Sequence, residues 1–105
     1  MLIRIVKLTF QEDKILDFLE LFEKSRNGIV AFEGCQFVEL YQDKTHSNIF
    51  FTYSHWLSDT YLEAYRNSSF FKTVWADTKV LFSERPEAWS VTKHSVTFAD
   101  EMKQS

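Results

Sequence analysis

The spacing of apolar residues changes period several times along the chain, and each change marks an element. Leu2 to Phe10 (LIRIVKLTF) alternates β-branched and other apolar residues around Arg4. That predicts a strand apolar on both faces and covered on both sides. From Glu12 to about Arg26 the period becomes helical. Ile15, Phe18, Leu19 and Phe22 recur at i, i+3, i+4 and i+7, Leu16 and Leu21 widen the stripe, and Asp17, Glu20, Glu23 and Lys24 form the wet face. Asn27-Gly28 predicts the helix end, because glycine enters the left-handed conformation at little cost. Gly34 opens a second strand, CQFVELYQD. The turn DKTHSN follows, then a third strand from Ile49 to Trp56, so the pair reads as a long-looped hairpin. Ser58 predicts the N-cap of a short helix through about Tyr65. Asn67 or Ser68 caps another, to about Phe82, with Phe71, Val74, Trp75, Thr78, Leu81 and Phe82 as its stripe. Pro86 marks the loop before a last strand, Trp89 to Phe98, and 99–105 reads as a polar, flexible tail.

The order β-α-β-β-α-β predicts an α+β fold of ferredoxin-like type. It consists of a four-stranded antiparallel sheet with helical segments on one face, in a single domain spanning 1–105. The helices cover one face only, yet the strands are apolar on both, with Ile3 and Ile5 as examples. A second copy of the chain is the simplest cover, which predicts a homodimer.

Composition sharpens this picture at one place. Aromatic residues make up 17% of the 105 positions, and Asn48 to Trp75 alone holds four Phe, three Tyr and two Trp. Rings bury large areas, so they can stabilise a small core or line a pocket for a flat apolar molecule. The net charge of −3, without a dense Lys/Arg cluster, argues against nucleic acid as a partner. No apolar run is long enough to span a membrane. The opening MLIRIVKLTF lacks the pattern of a signal peptide, and the one cysteine, Cys35, cannot form an internal disulfide, so a cytoplasmic location is expected.

With GCQFVELYQD, a loop, a strand ending in Trp56 followed by LS, a helix, NSSFFKTV and finally SERPEAWSV, the chain resembles the antibiotic biosynthesis monooxygenase family. The order and spacing of these pieces carry the resemblance, over roughly Met1 to Val91. It implies a dimeric α/β barrel in which two sheets pack face to face, and in each subunit an apolar pocket between helices and sheet. Better-known members oxidise quinol-like or polycyclic phenols with O2 and neither metal nor flavin; others degrade haem. The haem-degrading relatives use an Asn, a Trp and a His where this chain has Val6, Tyr65 and Trp75. A Trp cannot ligate iron as imidazole does, which argues against haem. Family His positions are Tyr65 and Phe70 here, and a common family Glu is Ser54.

Several residues are candidates for chemistry, each with a plainer structural role beside it. His55 on the third strand is a general base for a phenol, or a partly exposed strand residue. Tyr53 shares its strand face, while Ser54 and Trp56 share the other. The sequence leaves open which face meets the helices. Tyr65 and Trp75 would sandwich or hydrogen-bond a planar ligand beside Val6, Trp56 and Phe71, or serve as core aromatics. Asn67 orients a substrate oxygen or caps a helix. Arg4 steadies an enolate or phenolate, or pairs with an acid such as Glu39. His46, His55, His94 and Cys35 lack metal-site spacing, so no metal is expected. The expectation is a cofactor-independent monooxygenase acting on a small aromatic molecule, with His55, Tyr53 or Tyr65 as its catalytic group. The alternative is a dimeric ligand-binding or stress-response module that has kept the pocket and lost the chemistry.

Overall fold

The computed structural model describes residues 1–99 of the chain; most of the tail expected to be flexible, 100–105, lies outside the described residues. The elements are β1 (Leu2–Thr9), a 3-10 turn (Glu12–Lys14) leading into α1 (Ile15–Val30), β2 (Cys35–Gln42), β3 (Ile49–Trp56), α2 (Asp59–Arg66), α3 (Ser69–Lys79) and β4 (Glu87–Val91). The strands form one antiparallel sheet in the order β2-β3-β1-β4. This is the ferredoxin-like topology, with the second helical segment broken into α2 and α3.

The period of two decides which residues meet the helices. Leu2, Val6 and Leu8 of β1 pack with Phe50 and Trp56 of β3 against Phe18 of α1, Leu62 and Tyr65 of α2, and Trp75 of α3. The intervening residues Ile5, Tyr53 and His55 therefore point to the opposite, helix-free face. β1 sits between β3 and β4 in the sheet.

Four expectations need correction. First, α1 does not end at Asn27-Gly28 but runs to Val30. Gly28 lies inside the helix for a packing reason: a Cβ there would run into the Phe70 ring, 2.6 Å from Cε1. The left-handed glycine is Gly34, at φ 89°, and a side chain on it would collide with Tyr61. Second, the buried stripe of α1 is Phe18 and Ser25, with Ile15, Phe22 and Ile29 packed beside them, while Leu16 is 79% exposed. The Ser25 hydroxyl donates to the Leu21 carbonyl at 2.8 Å, so a polar residue can occupy the stripe. Third, of the two caps read for α3, Ser68 serves, accepting from the Phe71 N–H at 3.1 Å and donating to the Tyr65 carbonyl at 2.6 Å, and the Asn67 alternative fails because exposed Asn67 is the C-terminal cap of α2. Fourth, β4 is Glu87–Val91 rather than Trp89 to Phe98, and 92–98 is exposed without regular backbone pairing.

Candidate functional site

Two rows of side chains across the sheet leave room under the helices. Leu40, Thr52, Val6 and Ala88 stand in one row, and Val38, Ser54, Arg4 and Ser90 in the next. Along β3 the helix-facing side chains are therefore Phe50, Thr52, Ser54 and Trp56, with the small ones in the middle. The large ends anchor two separate clusters, one around Trp56, Leu62 and Tyr65, the other around Phe10, Phe18 and Phe50. A cavity of about 330 Å3 is lined by residues of both clusters and by the small residues between them. This volume suits a small organic molecule.

Rings from three elements make one continuous wall. Trp56 and Tyr65 lie 5.0 Å apart between centroids, Tyr65 and Phe71 5.0 Å, and Phe71 and Trp75 5.9 Å with nearly parallel planes at 11°. The α3 pair is spaced i, i+4, which places both rings on one helix face. A second concavity of about 510 Å3 runs between α1 and β2. Glu23, Arg26, Asn27 and Val30 on its walls are all exposed, and Glu23 and Arg26 pair with each other at 3.2 Å, so it is a surface groove.

The polar groups of the cavity differ in how far they are already committed. Ser54 Oγ accepts from Trp56 Nε1 at 3.1 Å, and the Thr78 hydroxyl donates to the Val74 carbonyl at 2.7 Å. Tyr65 is buried, yet its hydroxyl has no hydrogen-bond partner among the described residues. Every fully enclosed side-chain nitrogen or oxygen there does have one, so the Tyr65 oxygen keeps some exposure, and Tyr65 is one of the residues that line the cavity. Burial, and to a smaller extent nearby Cys35, pushes the phenol well above its ordinary range. Tyr65 is therefore a neutral donor at physiological pH, not a base. Burial likewise raises the Cys35 thiol, whose Sγ lies 3.8 Å from the Phe37 carbonyl, so it is not an activated nucleophile.

Of the residues singled out from the sequence, the fold brings Arg4, Val6, Trp56, Tyr65, Phe71 and Trp75 together around the cavity. His55 and Tyr53 are not among them. Ser54 and Trp56 face the helices, so their neighbours at 53 and 55 must face away. On that far face His55 Nε2 and the Tyr53 hydroxyl are 3.0 Å apart, with the Phe37 ring 4.4 Å from the imidazole. Asn67 also does not line the cavity, because it ends α2 on the surface. Arg4 and Glu39 do not pair: Arg4 Nη1 donates to Ser90 Oγ at 3.0 Å, and Glu39 accepts from the Tyr41 hydroxyl at 2.7 Å. Sequence reasoning missed Thr52 and Arg66. The signal for Thr52 was present, as a pair of small residues between Phe50 and Trp56 on one strand face. Arg66 carried none.

Among the described residues no three His, Cys, Asp or Glu are grouped to hold a metal ion, and no helix is long and apolar enough to cross a membrane. Comparison with solved structures finds the same fold repeatedly. A candidate antibiotic biosynthesis monooxygenase of Nitrosomonas europaea superposes with a TM-score of 0.83 at 15% identity, covering 90% of this chain and all of that one. A conserved protein of Methanosarcina mazei gives 0.82 at 21% identity, covering 89% and 93%. A candidate antibiotic biosynthesis monooxygenase of Caulobacter crescentus gives 0.83 at 18%, covering 90% of each. No curated protein matches the sequence. The sequence profile of the antibiotic biosynthesis monooxygenase family matches residues 1–77, which carry β1 through most of α3 and nearly all of the cavity wall. The chain belongs to the antibiotic biosynthesis monooxygenase family.

Proposed function

We propose that this chain oxidises a small planar phenol or quinol with O2 inside the cavity between the helices and the sheet, without metal or flavin. The observation that carries the reading is the unpartnered Tyr65 hydroxyl beside a wall of four rings. The rings hold the substrate plane, and Tyr65 donates to the substrate oxygen, which favours its ionised form. Among the described residues the cavity wall contains no imidazole and no carboxylate. The phenolic proton therefore leaves to water rather than to a protein base. The phenolate passes one electron to O2, the radical pair combines at a ring carbon, and the resulting peroxide loses water. One oxygen atom ends in the quinone carbonyl and the other in water, and no outside reductant is needed. The test is O2 uptake by purified, metal-free protein with a panel of phenols and quinols. Uptake clearly above the buffer rate is expected. A rate equal to buffer across the panel would remove the enzyme reading.

The absence of a base in the wall favours a second reading, a binding module that retains the cavity without turnover. A planar aromatic that raises the melting temperature and is recovered unchanged, with no O2 consumed, selects that reading.

We also infer that the active species is a homodimer built on the helix-free face. Ile5 lies there between Tyr53 of β3 and Trp89 of β4 in register. Ile5, Phe37, Phe51 and Tyr53 are half-buried, and Trp89 is 44% exposed. An apolar surface of this kind is rarely left to water. Covering it with a second sheet would bury about 2,000 Å2 or more, and 92–98 could extend across the partner. Ile5→Asp is expected to give aggregated or unfolded protein in light scattering, because it buries a charge without a partner. A stable, monodisperse wild-type monomer at micromolar concentration would contradict the dimer.

A further inference from the structure

The cations at the cavity are arranged unevenly. Arg4 comes from the middle of β1 and Arg66 from the last turn of α2, and both line the cavity. Arg66 is already matched, since its Nη1 bonds Glu63 Oε1 at 3.0 Å. Arg4 is not. Its Nη1 donates to a neutral hydroxyl, Ser90 Oγ, at 3.0 Å, and its Nη2 and Nε have no partner among the described residues. Among the described residues, two guanidinium charges against one carboxylate leave one net positive charge at the wall of a cavity in a chain whose own net charge is −3. Burial and the nearby Arg66 charge both lower the Arg4 pKa, with Glu63 opposing, but a guanidinium keeps its proton at any working pH.

Taking the cavity as the ligand site proposed above, we infer that it selects planar aromatic carboxylates, with Arg4 as the specificity-determining residue. A guanidinium with one edge free offers a flat fork of N–H donors. That fork matches the two oxygens of a carboxylate better than the single oxygen of a phenol. Ser90, directly opposite Arg4 in the β1–β4 register, holds the other edge and fixes the orientation of the fork. The ring of the ligand then lies along the aromatic wall, leaving Tyr65 for a ring oxygen. This arrangement admits a substrate with two polar substituents separated by a flat ring and disfavours a neutral hydrocarbon of the same size.

The experiment compares 2-naphthoate with 2-naphthamide, an uncharged near-isostere, and uses 2-naphthol as the probe of the cavity itself. Trp56 and Trp75 line the cavity, so intrinsic fluorescence reports binding. Wild-type protein is expected to bind the naphthoate roughly tenfold or more tightly than the amide, the scale of a hydrogen bond to a charged group. Arg4→Gln should abolish that preference, and Arg4→Lys should keep part of it. Ser90→Ala, which removes no charge and alters an exposed residue, should weaken the preference without affecting folding. If the amide binds wild type as tightly as the naphthoate while naphthol also binds, the carboxylate inference is overturned and the cavity reading stands. If the preference survives in Arg4→Gln, the role of Arg4 is overturned. If none of the three probes binds, both readings are lost.

Discussion

Phe10→Ala is expected to lower the stability of the fold by about 4 kcal/mol, the range of a large ring removed from a packed core. Phe10 is fully buried, and its ring stacks on Phe18 at 4.1 Å and on Phe82 at 5.2 Å while meeting Phe50 edge-on at 5.9 Å. Its backbone is equally committed. Its N–H donates to the Asn48 carbonyl at 2.9 Å, and its own carbonyl accepts from Asn48 Nδ2 at 2.9 Å and the Ser83 hydroxyl at 3.1 Å. The residue thus ties the end of β1 to the start of β3 and to the segment after α3. The melting temperature should fall by roughly 15 °C or more. Leu16→Ala, by contrast, should shift stability by less than about 0.5 kcal/mol, because that side chain is mostly in water. Chemical denaturation followed by circular dichroism measures both. Equal losses for the two variants would mean that the aromatic cluster is not the core.

The second large effect concerns turnover. Tyr65→Phe keeps the ring and its contacts with Phe32, Trp56 and Phe71 but removes a buried hydroxyl that has no hydrogen-bond partner among the described residues. Losing a single donor of this kind costs about 100-fold in kcat. The variant should still bind a planar aromatic ligand and should melt at nearly the wild-type temperature. His55→Gln should leave kcat within about twofold, because the imidazole lies on the far side of the sheet. The pH profile of wild type adds a sign. Burial raises the Tyr65 phenol above its ordinary value, so its donor proton is present throughout the neutral range and is lost only in strong alkali. Any rise of rate with pH below that point reports ionisation of the substrate. Steady-state kinetics of the two variants decides between them. A large loss in His55→Gln with none in Tyr65→Phe would reverse the assignment.

The contrast between these two residues shows what the sequence could and could not give. Strands, helices and their order were legible because each has its own apolar period and the turns carry Gly34, Ser68 and Pro86. The aromatic wall was legible in part, since Phe71 and Trp75 share a helical face by spacing alone. Which of His55 and Tyr65 lies at the cavity was not. A strand apolar on both parities does not reveal which parity meets the helices, and β3 offers Tyr53 and His55 on one side and Ser54 and Trp56 on the other. Tertiary packing of Leu62 and Tyr65 against Trp56 settles that parity. Gly28 misled for a related reason. Glycine ends a helix when its own backbone turns left-handed, but it continues one when a neighbour such as Phe70 needs the space, and that neighbour is 42 positions away in sequence. β4 was misplaced because 92–98 has strand-forming residues but no facing strand to pair with within one chain.

The central claim is that the cavity under the helices, not the His55 face of the sheet, is where the ligand binds. The most direct measurement is a crystal structure of the protein with 2-naphthol. The claim predicts the naphthol ring against Phe71 and Trp75, with its oxygen about 2.7 Å from the Tyr65 hydroxyl, the distance of an ordinary O–H···O hydrogen bond. Naphthol lying against Tyr53 and His55, or in the groove between α1 and β2, with the cavity empty, would contradict it.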